Sequence, residues 1–386
     1  MLHSYNPRVP SSNVLQRLGS VPVSRFMRDF WQRKPLLIRN AFAGFEPPVQ
    51  RDTLFDLARR DDVESRLVTH RDGGWSLKGG PFDRLPSTRR PDWTLLVQGV
   101  DLLNDGAHRL LSRFRFVPDA RLDDLMVSYA TDGGGVGPHV DSYDVFLLQG
   151  WGRRRWRISR QRDLAHVPGV PLKVLADFRA EEEWVLEPGD MLYLPPGVAH
   201  EGVAVGECLT YSVGFRAPTF QELLEPWLLD FAESTSLPGR YADRGLTPVS
   251  RPAALPAVMV RQIHEAMLRK RPSPRDTEHF LLRHLSEPKA QIVFERPARP
   301  LPVAQFRARA SRAGVTLDRS TRVLYAGAAL GINGECVDVP RAFREELRSL
   351  AHDRLLAPEK VARLPAGGHE VLHAWYEAGW LHLTTR

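Results

Sequence analysis

Cysteine is nearly absent from this 386-residue chain. Cys208 and Cys336 are too few for a disulfide framework and fit a reducing cytoplasm. Long apolar runs are missing too: nothing approaches the ~18 uninterrupted apolar residues of a membrane-spanning helix, so no membrane association is expected. The opening MLHSYNPRVPSS lacks the apolar centre of a signal peptide. Lysine is scarce, and nearly all of the 53 basic residues are arginine. The net charge of +7 suits an RNA-rich or ribosomal environment, but no Lys/Arg block stands apart from folded sequence, so direct nucleic-acid binding is not expected. Internal repeats and low-complexity tracts are lacking as well. The length suggests two or three domains.

Hydrophobic periodicity divides the chain. Ser24 reads as the cap of a short helix through Phe26, Phe30 and Trp31, followed by a strand at Leu36–Ile38. Turn signals stand at Asp72-Gly73-Gly74 and Gly79-Gly80. From about Leu125 to Phe215 the chain is rich in short strands separated by Gly, Pro and Asp: Leu125–Ala130, Val145–Gln149, Arg155–Ser159, Trp184–Leu186, Met191–Leu194 and Leu209–Phe215. That spacing suits a sandwich or barrel. After Pro218 the pattern turns helical, with Leu223, Leu224, Trp227, Leu228 and Phe231 on one stripe and a start expected near Pro226. Further helices are expected near Val258–Leu268 and from Asp276. An α+β region closes the chain, with a strand near Arg322–Ala326, a turn at Asn333-Gly334 and a helix after Pro340.

The chemistry concentrates in two segments. One is Gly133-Gly134-Gly135-Val136-Gly137-Pro138-His139-Val140-Asp141. The other runs from Glu187 through Gly189, Asp190, Pro195, Pro196 and Gly197 to His200. Residues i and i+2 of a strand share a face, so His139 and Asp141 can point into one barrel. His200 follows a Gly-Asp turn, an apolar strand and a Pro-Pro-Gly turn that aims it. Two imidazoles and one carboxylate on one face leave cis positions open, the ligand set suited to non-haem Fe(II), O2 and a bidentate co-substrate. In Gly152-Arg153-Arg154-Arg155-Trp156-Arg157-Ile158, Arg154 shares a face with Trp156 and Ile158. A guanidinium on that inner face needs an anion, and a carboxylate matches its planar fork. The outer arginines read as a solvated face.

These residues resemble the JmjC-type ribosomal oxygenases, nearest the bacterial arginyl hydroxylases of ribosomal proteins. The resemblance is carried by HVDSYDVFLLQGWGRRRWRI (His139–Ile158), PGDMLYLPPGVAHEG (Pro188–Gly202), YSVGFRAP (Tyr211–Pro218) and FWQRKPLLIR (Phe30–Arg39). It is specific over about 20–220 and weaker beyond. It implies an α+β fold: a double-stranded β-helix (jelly-roll, cupin/JmjC) core over 1–220, a helical dimerisation region over 221–285 and a winged-helix-like domain over 286–386. It implies Fe(II) on His139, Asp141 and His200, and 2-oxoglutarate on Arg154 with Ser128 nearby. The co-substrate is then decarboxylated to succinate while O2 hydroxylates an arginine β-carbon in a large-subunit ribosomal protein near the peptidyl-transferase centre. A guanidinium pocket needs a carboxylate and a flat ring; Asp124 and Tyr143 are the candidates, with Asp144 and Asp132 as alternatives. A homodimer through about 220–285 is expected from the Leu223, Trp227 and Phe231 stripe, and a cytoplasmic location from the two unpaired cysteines.

Other readings compete. A histidyl hydroxylase of a ribosomal protein would use the same centre. His369-Glu370-Val371-Leu372-His373 matches the H-E-x-x-H zinc motif, but Glu377 and His382 are poorly spaced for a third ligand. A non-catalytic winged-helix regulator would need a basic recognition face, and the helix after Pro340 mixes Arg341, Arg344 and Arg348 with Glu345 and Glu346. A cupin isomerase holding zinc or manganese would lack its extra Glu ligand and leave Arg154 without a role.

Overall fold

The computed structural model describes residues 14–71 and 73–384; the stretch read for a signal peptide, and Asp72 of the expected turn, lie outside the described residues. Two compact units form, one from residues 14–217, 289–321 and 345–384, the other from 218–288 and 322–344.

The first unit is organised by an antiparallel sheet. Its strands run in the order Leu36–Ile38, Met191–Leu194, Val145–Ser159, Ala199–Phe215, Leu122–Ala130, Trp93–Val97, Ser65–Arg71 and Gly74–Gly79. Glu182–Leu186 and His139–Val140 pair with its two longest members. Several of the short strands expected from the sequence are thus parts of two long ones. Val145–Gln149 and Arg155–Ser159 are one 15-residue strand, and Leu209–Phe215 is the end of a 17-residue strand. Both bend. Gly152 has φ +64°, and a Cβ there would meet the Glu207 carbonyl oxygen at 2.0 Å, so only glycine turns this corner. The pairing register shifts opposite it, between Val205 and Leu209. Before the bend, Val145–Leu148 pair with Met191–Leu194; after it, Arg154–Ile158 pair with Glu182–Leu186. Each long strand therefore serves both layers of a jelly roll, the double-stranded β-helix.

Strand alternation sorts the side chains into two cores. Phe146 and Leu148 face an aromatic cluster with Phe26, Phe114, Tyr193, Tyr211 and Phe215, closed by the helices Arg51–Leu57 and Asp105–Ser112. Val145, Leu147, Trp156 and Ile158 face the opposite way, with Leu186, Leu192 and Leu194. The helix Val23–Asp29 begins after Pro22, so Ser24 lies inside it and does not cap it: Pro22 takes the extended conformation that precedes the first turn.

In the second unit, helix Phe220–Ser234 starts at a capping box between Thr219 and Glu222 and runs through Pro226. The start expected at Pro226 is therefore displaced six residues upstream, because the cap satisfies the free N–H groups there. Leu223, Trp227 and Phe231 are half-buried, and Trp227 Nε1 donates to Thr277 Oγ1 of helix Pro274–Ser286 at 3.2 Å. Phe220, Leu224 and Leu228 stay exposed. So do Val260, Ile263 and Met267 of helix Ala257–Met267. Strands Val323–Ala326, Ala329–Ile332 and Glu335–Asp338 form a meander whose second turn is at Asn333 and Gly334, both with positive φ.

Trp156 packs over the glycine opposite it on the neighbouring strand. Gly202 pairs with Trp156, and a Cβ on Gly202 would lie 2.7 Å from the indole. Gly202→Ala is expected to lower stability by about 1–3 kcal/mol, because the buried ring cannot move aside. Urea denaturation measures this; an unchanged midpoint would mean that the ring has room to shift.

Candidate metal centre

Two local structures deliver the three polar side chains. The glycine run lies flat between neighbouring strands: a Cβ on Gly134 would meet the Trp93 carbonyl oxygen at 2.4 Å, and one on Gly135 that of Gly202 at 2.6 Å. This brings the chain into the barrel, where His139 pairs with His200, which in turn pairs with Ile158. The Pro195-Pro196-Gly197 turn carries φ +83° at Gly197, whose N–H donates to the Asp141 carbonyl at 2.9 Å, tying the two segments together.

His139, Asp141 and His200 offer ligand atoms that all lie within 4.8 Å of one another; among the described residues no other group of three or more His, Cys, Asp or Glu side chains does so. Each imidazole is oriented the same way. His139 Nδ1 is 3.0 Å from the Gly137 carbonyl, and His200 Nδ1 is 3.0 Å from the Val198 carbonyl. With the proton on Nδ1 donated to a carbonyl, Nε2 is left as a lone-pair donor facing inward. His200 Nε2 lies 3.6 Å from Asp141 Oδ2. Burial, and then the neighbouring His139, push the His200 pKa down to about 3, so the ring is neutral. Burial raises the Asp141 carboxyl, against the pull of His139 and a hydrogen bond from Tyr143. Two imidazoles oriented in this way beside a desolvated carboxylate are a donor set that a divalent cation satisfies.

Arg154 is 5% exposed, and neither its Nε nor its Nη2 has a hydrogen-bond partner in the protein. Its guanidinium lies 5.8 Å from the Trp156 ring centroid, and that ring is 6.0 Å from His200. A buried unpaired guanidinium costs several kcal/mol, so this geometry calls for an anion between Arg154 and the triad. The outer arginines behave as expected: Arg153 is exposed, Arg155 approaches Glu183 at 3.6 Å and Arg157 pairs with Glu201. Ser128 is buried in a cross-strand row with Thr210 and Gln149. Its Oγ donates weakly to the Thr210 carbonyl at 3.5 Å and does not satisfy the Nε or Nη2 of Arg154.

Asp124 and Tyr143 come together across Gly214, where a Cβ would lie 3.9 Å from Asp124 Oδ1 and 4.0 Å from Tyr143 Cε2. Asp124 is buried and Tyr143 is 38% exposed. The two alternatives are occupied elsewhere. Asp144, fully buried, accepts from Tyr193 Oη, Gln32 Nε2 and Arg121 Nη2. Asp132 accepts from the Gly206 N–H at a turn. In the zinc-like motif, His369 and His373 are buried in helix Ala366–Glu377, and His373 Nε2 lies 2.7 Å from the Leu301 carbonyl. Cys208 and Cys336 are free thiols. Asp101 and Lys289, beside Asp124, were not found by sequence reasoning: neither falls in a motif, and Lys289 is 165 positions from its partner.

Family models match the JmjC domain over residues 109–223, a ROXA-like winged helix over 264–382 and an AraC-like ligand-binding domain over 178–285. The chain is 36% identical to the Escherichia coli ribosomal protein uL16 3-hydroxylase over 338 residues, covering 86% of this chain and 90% of that protein. It is 38% identical to a probable ribosomal oxygenase of Haemophilus influenzae over about half of each. The solved structure of the E. coli ribosomal oxygenase YcfD with cobalt and 2-oxoglutarate superposes with a TM-score of 0.82 at 32% identity, covering 96% of this chain and 99% of that one.

Burial, followed by the charge of Asp124, raises the Asp101 carboxyl from 3.8 to about 7. A carboxyl with a raised folded pKa favours folding most below its unfolded value, and that contribution is lost as pH rises through 7. Asp101→Asn keeps an acceptor for the Leu125 N–H but cannot ionise. Between pH 4 and pH 8 the wild type should therefore lose roughly 1–3 kcal/mol relative to this variant. Urea curves at the two pH values test this, and a constant difference would show Asp101 ionised throughout.

Proposed function

Since the chain belongs to the JmjC-type ribosomal oxygenases, we propose that it is an Fe(II)- and 2-oxoglutarate-dependent hydroxylase of a ribosomal protein, acting on the β-carbon of an arginine. The observation that carries the co-substrate half is the buried, unpartnered Arg154 facing the triad across Trp156. In this reading His139, Asp141 and His200 hold the metal on one face. Arg154 receives the distal carboxylate of 2-oxoglutarate, and Ser128 supplies a hydroxyl to the same polar interior. Iron, O2 and 2-oxoglutarate supply the oxidising chemistry. The protein's part is to orient, to charge-match and to exclude water, which Trp156, Ile158 and Leu186 do from the inner core.

The arginine half rests on Asp124 and Tyr143, which offer a carboxylate and a ring edge on either side of Gly214. A guanidinium between them has a counter-ion and a flat surface. The substrate proposed is the counterpart of uL16, the large-subunit protein in the name of the E. coli relative, whose 3-position is the β-carbon. A cytoplasmic site of action accompanies this substrate. No helix among the described residues is long and apolar enough to cross a membrane. The three-part division at 220 and 285 remains part of the proposal.

Mass spectrometry of ribosomal proteins from cells with and without the gene should show one added oxygen on one arginine, present only with the gene. His139→Ala, Asp141→Ala or His200→Ala should abolish it, and should weaken binding of cobalt in calorimetry. Arg154→Met should leave cobalt binding intact and raise the 2-oxoglutarate requirement steeply, since hydrogen bonds to a charged group are worth about 1.5–3 kcal/mol each. An added oxygen on histidine would instead assign the chain to histidyl hydroxylation.

A homodimer is proposed through the exposed stripe Phe220, Leu224 and Leu228 with Val260, Ile263 and Met267. The half-buried Leu223, Trp227 and Phe231 belong to the inner side of the same helix. Light scattering at micromolar concentration should give twice the chain mass, and Leu224→Glu with Leu228→Glu should halve it. A wild-type monomer would refute the dimer.

A further inference from the structure

The two oxygens of Asp124 have different surroundings. Oδ2 accepts from the Gly99 N–H at 3.1 Å and from Lys289 Nζ at 3.0 Å. Oδ1 faces the bare α-carbon of Gly214 and, beyond it, the Tyr143 ring. Lys289 also stands 3.6 Å from Asp123, and its side chain is only 25% exposed. We infer that Lys289 is a positioning residue for the substrate subsite: with the Gly99 N–H it holds Asp124 by Oδ2, so that Oδ1 alone is presented to an incoming guanidinium beside Tyr143. This rests on the arginine reading given above.

Two physical points carry it. A charge buried to this depth is costly without a counter-ion, and Lys289 supplies one 3.0 Å from Oδ2. Burial lowers the Lys289 pKa, but Asp124, Asp123 and Asp101 outweigh it, so the ammonium remains charged. Next, an ammonium is a compact point charge that engages one oxygen, whereas an arginine would fork across both and close the subsite. The substrate contact is then one charge-assisted hydrogen bond plus the ring of Tyr143, not a bidentate pair.

The test uses the iron-loaded enzyme with an arginine-bearing substrate peptide. Lys289→Met is expected to raise the peptide KM about tenfold, with the 2-oxoglutarate KM held at its wild-type value. Ethylammonium added to Lys289→Ala should recover part of the lost peptide affinity, which a merely structural lysine would not show. An unchanged peptide KM in Lys289→Met overturns the inference. So does a lower one, which would make Lys289 an obstruction, or a loss in Lys289→Ala that ethylammonium does not recover. Equal turnover of the arginine peptide and its citrulline counterpart by the wild type would defeat the guanidinium reading itself, whatever Lys289 does.

Discussion

The register of the strand Ala199–Phe215 sets the position of nearly every group at the centre of the first unit. It pairs with Leu122–Ala130 on one side and Val145–Ser159 on the other, with His139–Val140 added near its start. His200 stands opposite His139 and Ile158, Gly202 opposite Trp156, Ala204 opposite Arg154, and Thr210 opposite Ser128 and Gln149. A slip of one residue would turn each of these side chains to the other face. The metal triad, the guanidinium and the polar row are thus one pairing pattern read at successive rungs. The bend at Gly152 lets the same strand pair present some rungs to one layer and some to the other.

Such an interior is expensive to hold. Arg154 shares the face of Trp156 and Ile158, where its Nε and Nη2 lose water without gaining a protein partner. The opposite face offsets this cost. Phe26, Phe114, Phe146, Tyr193 and Phe215 are fully or almost fully buried, and each such side chain contributes roughly 1.5–3 kcal/mol. The polar groups there find partners: Tyr193 donates to Asp144, and Asp144 also receives Gln32 and Arg121. One face of the sheet stabilises the fold while the other keeps its polar groups short of partners, as a binding site requires.

What the sequence made legible was local. Period-two alternation placed His139 with Asp141 and separated Arg154 from its neighbours, because a strand has only two faces. The inward Nε2 of each imidazole follows from a carbonyl two residues upstream, also a local matter. Long-range pairings were out of reach. Nothing near Lys289 indicates that it meets Asp124, and nothing near Val100–Leu102 marks Asp101 as a buried acid. The helix Phe220–Ser234 shows an intermediate case. Its apolar stripe was visible, but which edge faces helix Pro274–Ser286 and which faces outward depends on Trp227 meeting Thr277. The His369–His373 spacing was legible and misleading, since i and i+4 on a helix also suit two histidines packed into a core.

Three arginines in a row make an ambiguous message. If the strand were misread by one place, Arg153 or Arg155 would point inward in place of Arg154, and a guanidinium would still occupy the interior. Trp156 removes the ambiguity. Its ring fills the space that Gly202 leaves bare, and in a misread frame that space would receive Arg155 or Arg157. The indole therefore acts as a frame mark for its neighbour: the arginine run carries redundancy, and the tryptophan–glycine pair carries the address.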